Sequence, residues 1–163
     1  MLEHTSRPGL AALLRESGAS ERKMSSSTIG FTLAPRLNAA GRLGEVSVAG
    51  RLLMTGDVNE ANTLADKLCE LNRRRQNLET EIWDDASGMM DGKSPTSPIV
   101  LASEKWHQGV IGIAASKLAE QYSRPTVMIC LDGEKGKGSC RSYGGFNLFD
   151  ALSACSEYLE GFG

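Results

Sequence analysis

Three short stretches hold residues whose types and spacing could handle an anion. In GKGSCRS (136–142), Lys137, Ser139 and Arg141 alternate, so a strand would turn all three to one face. A lysine, a hydroxyl and an arginine fork on one face can cradle a phosphate. The flanking glycines let the backbone approach a ligand. The same pattern would also suit an exposed edge strand, where Lys and Arg discourage pairing with another chain. In APRLNAAGR (34–42), Arg36, Asn38 and Arg42 lie close together. On one helix the two arginines do not share a face neatly; on a turn leading into a helix they could converge on a phosphate or carboxylate. Ala39, Ala40 and Gly41 are small, so a closely packed helix with two surface arginines is the competing reading. In KWHQGVIGIAAS (105–116), His107 precedes an apolar helix opened by Gly109 and Gly112, whose N-terminal N–H groups suit an anion. The spacing is neither a Walker loop nor GxGxxG, and a lone histidine equally serves as a cap or a packing residue.

Other chemistries are not supported. Two-metal phosphodiester hydrolysis needs clustered Asp and His ligands, and the only histidines are His4 and His107. Asp84-Asp85 stands in acidic surroundings with no histidine nearby in sequence. Cys69, Cys130, Cys140 and Cys155 form no CxxC pair, which argues against zinc and for reduced, mostly buried thiols. The segment by itself is therefore expected to hydrolyse nothing. A net charge of −2 excludes a general basic coat for duplex DNA. The charge is uneven: residues 1–56 carry seven Lys/Arg against four Asp/Glu, and residues 57–97 carry five against nine. Any nucleic-acid contact must come from a few placed cations. The first residues, MLEHTSRPGL, lack the apolar core of a signal peptide, and no apolar run approaches a membrane span, so the chain reads as cytoplasmic.

The elements that must position these residues follow from pattern. Pro8 to Gly18 predicts a short helix, with proline at the start and glycine at the stop. Residues 19–27 read as a polar loop with a cap. Ala61, Leu64, Leu68, Leu71, Leu78, Ile82, Ala86 and Met89 recur on one helical face, predicting a single long helix over 57–90 with Asp57 as N-cap. Trp83 anchors a partial contact, and Arg73-Arg74-Arg75 reads as a solvated face. Residues 91–97 are turn chemistry. Beyond them come a strand at Pro98–Ser103, a helix at Gly109–Tyr122, a strand at Pro125–Leu131, a Gly/Lys turn at Gly133–Gly138, a strand at Ser139–Tyr143, and a helix at Asn147–Leu159 capped by Asn147. The first two strands should be parallel through a right-handed crossover and the third antiparallel. The expected fold class is α/β: an N-terminal helical segment, a long connector helix, then a small mixed β-sheet with flanking helices.

Taken together, IGFTLAPRLNAAGRLG, WHQGVIGIAASKLAEQYSRPTVMI and KGSCRSYGGFNLFDAL resemble the RecJ family of 5′-to-3′ single-stranded-DNA exonucleases, in the family's order and over nearly the whole chain from Pro8. The resemblance implies that residues 1–56 are the end of a DHH domain, 57–90 the connector, and 98–163 a DHH-associated substrate-binding domain. It implies that Ser139 and Arg141, at the family's GSGRS stretch, bind a 5′-terminal phosphate, which agrees with the phosphate cradle read above from Lys137, Ser139 and Arg141. It places Asn38 and Arg42 near the catalytic centre in contact with substrate phosphate; Arg36 and His107 stay possible contacts on their own chemistry. Mn or Mg ions would be bound by the upstream DHH motifs, which this chain lacks. Two further departures stand out. Cys140 replaces the usual glycine, which would narrow the loop, and the chain ends at EGFG where the family continues into a Gly-Gly-His segment and a final strand. The implied partner is single-stranded DNA, in DNA repair and recombination. Alternatives are another phosphoesterase of the superfamily, acting on nanoRNA or cyclic dinucleotides, or a non-catalytic nucleic-acid-binding module. Such a module would form homodimers through the exposed face of the long helix.

Overall fold

The structure, a computed structural model, describes residues 5–21 and 23–163. His4 and the Arg22 position of the polar loop lie outside them. The chain divides into two compact units, Met1–Asn77 and Leu78–Gly163, with the division inside the long helix.

The first unit is helical. Helix α1 (Pro8–Glu16) starts with Pro8 in its first turn and is followed by Gly18 at φ +68°, the left-handed conformation that glycine adopts without strain. The Ser25 hydroxyl accepts the Thr28 N–H at 3.1 Å, opening the short helix α2 (Ser26–Thr28). A π-helical segment, Ile29–Leu33, carries this run into α3 (Ala34–Arg42). Stretch 29–44 is therefore helical almost throughout, not a turn leading into a helix. Pro35 supplies no helical N–H, and the wider π turn sits just before it. Helix α4 (Val46–Met54) has no side-chain cap and contains Gly50, so its ends carry no sequence signal. It forms by burying Ala49 and Leu52 in the helical core with Leu13, Leu14, Leu33, Ala39 and Ala40.

Helix α5 (Val58–Met90) has 33 residues, which at 1.5 Å per residue is about 50 Å. Asp57 caps it, its Oδ1 accepting the Glu60 N–H at 2.7 Å. Ala61, Leu64, Leu68 and Leu71 are buried in the first unit, and Ile82 and Ala86 in the second. Leu78 is half-buried, and the buried residue at the end is Met90 rather than Met89. Arg73 and Arg74 are exposed; half-buried Arg75 donates to Asn72 Oδ1 at 2.9 Å. Among the described residues no helix is both long and apolar enough to cross a membrane.

The second unit holds β1 (Ile99–Ser103), α6 (Ile111–Tyr122), β2 (Thr126–Asp132), β3 (Lys135–Arg141), α7 (Leu148–Ala154) and one 3-10 turn, Ser156–Tyr158. The sheet order is β1-β2-β3. β1 runs parallel to β2 from Ile99↔Thr126 to Ser103↔Cys130, and β3 pairs antiparallel from Thr126↔Arg141 to Asp132↔Lys135. Two boundaries differ by about four residues or more from the sequence reading. The third strand is Lys135–Arg141, not Ser139–Tyr143, because the turn closes in two residues with Gly133 at φ +58°. Gly136 and Gly138 are thus inside the strand; a Cβ at Gly136 would lie 2.8 Å from Ile129 Cγ2, so the missing side chain admits its neighbour. The last helix stops at Ala154, although Asn147 caps it as expected, its Oδ1 accepting the Asp150 N–H at 3.2 Å.

Candidate functional site

Strand alternation and one glycine build the site. Ser139 pairs with Met128 and Arg141 with Thr126, and both partners are fully buried beneath α6. Ser139 and Arg141 therefore rise on the helix-covered face, at the first turn of α6. A Cβ on Gly112 would come within 2.8 Å of Ser139 Oγ and 2.9 Å of Arg141 Nη2. The arginine is oriented on several sides. Its Nε donates to Ser116 Oγ at 2.8 Å, and its Nη1 donates to Ser139 Oγ at 3.2 Å and to the Cys140 carbonyl at 2.6 Å. Nη2 makes no hydrogen bond among the described residues, and the residue is exposed. A guanidinium fixed along one edge and open on another, beside a hydroxyl and a helix N-terminus, is suited to an oxyanion.

The structure thus joins two of the three sequence constellations. Gly112 and Ser116 come from the KWHQGVIGIAAS stretch, Ser139 and Arg141 from GKGSCRS. Lys137 shares their face, paired with Cys130, and is exposed. Ser116 was not a sequence candidate. The signal was present only as helical spacing, one turn from Gly112. His107 takes the capping role: its Nδ1 accepts the Gly109 N–H at 3.1 Å, and its carbonyl accepts from Val110 and Ile111 at 2.9 and 3.1 Å. Cys140 lies in the strand and alternates to the opposite face, paired with Val127, so it narrows no loop beside Arg141. Burial pushes its thiol pKa up, against the opposing pull of the Arg141 charge.

The first unit separates the APRLNAAGR residues. Asn38 and Arg42, four apart on α3, lie on one exposed face. Arg36 points elsewhere: it donates from Nε to Cys69 Sγ at 3.2 Å and from Nη1 to the Thr32 carbonyl at 2.5 Å, bracing the π segment against α5. Two of the Arg36 nitrogens are thus engaged within this unit, away from the face of Asn38 and Arg42. Asp85 is likewise occupied, accepting the Trp106 indole N–H at 2.8 Å. Lys117 bridges Glu79 at 2.5 Å and lies 5.8 Å over the Trp83 ring. All four cysteines are free, but only Cys69 is buried; Cys130 and Cys140 are half-buried and Cys155 is exposed. That corrects the expectation of mostly buried thiols. Among the described residues no group of three or more His, Cys, Asp or Glu could hold a metal ion.

Comparison with known proteins gives this geometry a context. Residues 96–163 match the DHHA1 domain. The single-stranded-DNA-specific exonuclease RecJ of Bacillus subtilis (strain 168) is 42% identical over 99% of this chain, which covers 21% of that protein. The crystal structure of RecJ in complex with Mg2+ from Thermus thermophilus superposes with a TM-score of 0.87 at 34% identity, over 99% of this chain and 25% of that one. A crystal structure of exonuclease RecJ bound to manganese gives 0.86 at 35% identity, over 97% of this chain and 39% of that one. The chain spans about a fifth of the length of the curated relative.

Proposed function

We propose that this chain, a segment of the RecJ family by sequence and by fold, is the substrate-side part of a 5′-to-3′ single-stranded-DNA exonuclease. In this reading residues 98–163 form the DHH-associated substrate-binding domain, 57–90 the connector and 1–56 the end of the DHH domain. The observation that carries the reading is the Arg141–Ser139 cradle at the start of α6, with its open Nη2 edge. An enzyme that starts at a strand terminus needs a charged pocket for the terminal phosphate. Arg141 supplies a fixed cation, Ser139 a hydroxyl donor, and exposed Lys137 adds charge along the same face. Asn38 and Arg42, on their exposed helix face, contact a backbone phosphate further along the strand.

The relatives' structures contain Mg2+ or Mn2+. In this reading the metals of the whole enzyme are held by DHH-domain residues outside this chain; among the described residues no group of three or more His, Cys, Asp or Glu could hold such an ion. The same proposal assigns the whole enzyme to DNA repair and recombination in the cytoplasm.

The test is made in the full-length enzyme carrying this segment. Arg141→Ala lowers kcat/KM on 5′-phosphorylated single strands about ten- to hundredfold relative to 5′-hydroxyl strands, the loss of a charge-assisted contact. Equal loss on both ends would remove the phosphate role.

A further inference from the structure

Ser116 and Gly112 do not face solvent as ligands would; they face Arg141. We infer that they are positioning residues for its guanidinium: α6 is a template that sets the direction in which Arg141 presents its open edge. This inference rests on the phosphate-cradle reading and adds to it the part played by the helix.

The chemistry of one hydroxyl supports it. Ser116 Oγ donates its single proton to the Gly112 carbonyl at 3.1 Å, the residue one turn earlier. Its lone pairs are then left to accept, and Arg141 Nε donates to them at 2.8 Å. The polarity is therefore fixed: helix carbonyl, hydroxyl, guanidinium. With Nε held there and Nη1 held by Ser139 and the Cys140 carbonyl, the plane of the guanidinium is defined by three separate acceptors. The side chain is exposed, so without these bonds it would sample several rotamers and lose that freedom only on binding.

Gly112 supplies the space. The atoms a Cβ would strike are Ser139 Oγ and Arg141 Nη2, both ends of side chains and not backbone. Alanine at 112 therefore displaces the arginine without requiring the helix or the strand to move. The spacing of four residues puts the clearance and the anchor on the same stripe of α6.

The experiment uses the full-length enzyme and 5′-phosphorylated and 5′-hydroxyl oligonucleotides of one sequence, comparing kcat/KM between them, with thermal unfolding of each variant alongside. Ser116→Ala and Gly112→Ala each lower the phosphate-to-hydroxyl ratio about tenfold, while Ser116→Thr, which keeps the acceptor, restores it. Arg141→Ala is the reference. If Arg141→Ala leaves the ratio unchanged, the cradle itself is wrong, and the positioning role falls with it. If Arg141→Ala collapses the ratio but Ser116→Ala and Gly112→Ala do not, the cradle stands and the template role is overturned. Equal loss on both substrates in Ser116→Ala, or no rescue by threonine, would also overturn it.

Discussion

Gly9 and Gly112 have similar surroundings in sequence and opposite roles in space. Gly9 opens α1 in the first unit, and a Cβ there would lie 1.8 Å from the Leu52 carbonyl oxygen, on the backbone of α4. Gly112 opens α6 in the second unit, and a Cβ there would touch only side-chain ends, those of Ser139 and Arg141. The first glycine lets two helices close on each other; the second leaves room for a side chain that reaches solvent. The arginines divide the same way. Arg36 is half-buried and gives its Nε and Nη1 to Cys69 and the Thr32 carbonyl within the helical unit. Arg141 gives the same two nitrogens to Ser116, Ser139 and the Cys140 carbonyl, but it is exposed. A half-buried polar group stabilises a fold through its hydrogen bonds, whereas a binding group must be held and still reach solvent.

The contrast can be broken by measurement. The largest effect belongs to the helical core: Leu68→Ala, at a fully buried position, costs about 2–5 kcal/mol in chemical denaturation. A loss under about 1 kcal/mol would mean that the first unit's core is not what holds α5. Gly9→Ala follows, destabilising by about 1–3 kcal/mol or more as α1 is pushed off α4. A Tm equal to wild type would deny the close approach and with it the difference between the two glycines. Next, Asn38→Ala lowers turnover of the full-length enzyme by about tenfold at unchanged Tm, since its exposed side chain lies outside the core. Unchanged turnover would remove Asn38 from the proposed phosphate path. Asp57→Ala costs about 1 kcal/mol through the lost N-cap, read as reduced helicity and Tm.

The smallest effect is a pH dependence at the start of α5. Glu60 is held below the usual carboxylate pKa of 4.5, first by the Thr55 hydroxyl and then by Arg51. A depressed carboxylate pKa means the unfolded state binds the proton first. Its contribution is therefore present above about pH 4.5 and lost as pH falls through the lower folded value. Glu60→Gln should flatten that acid limb of the Tm profile; an identical limb in both proteins would assign the acid sensitivity elsewhere.

Much of the scaffold was legible in the residues. The recurrence from Ala61 to Ala86 specified α5, and Asp57 and Asn147 cap the helices they were expected to cap. The order of strands and the parallel then antiparallel pairing followed from β-branched runs separated by helix and turn. Helix α4 and the early start of β3 were not legible. The first has no cap and an internal glycine, and the first half of the second holds Gly136 and Gly138, which have poor strand propensity. Both exist because neighbours supply what local preference does not: a buried Leu52 in one case, pairing with β2 in the other.

The site shows the same boundary. Sequence alone set the alternation that puts Lys137, Ser139 and Arg141 on one face, and the four-residue spacing of Asn38 with Arg42, because both depend only on local backbone repeat. That Arg36 meets Cys69 and that Ser116 meets Arg141 were decided by tertiary structure. Residues 25 apart meet there because a strand passes under a helix, and hydrogen-bond partners that distant are set by packing, which no local period encodes.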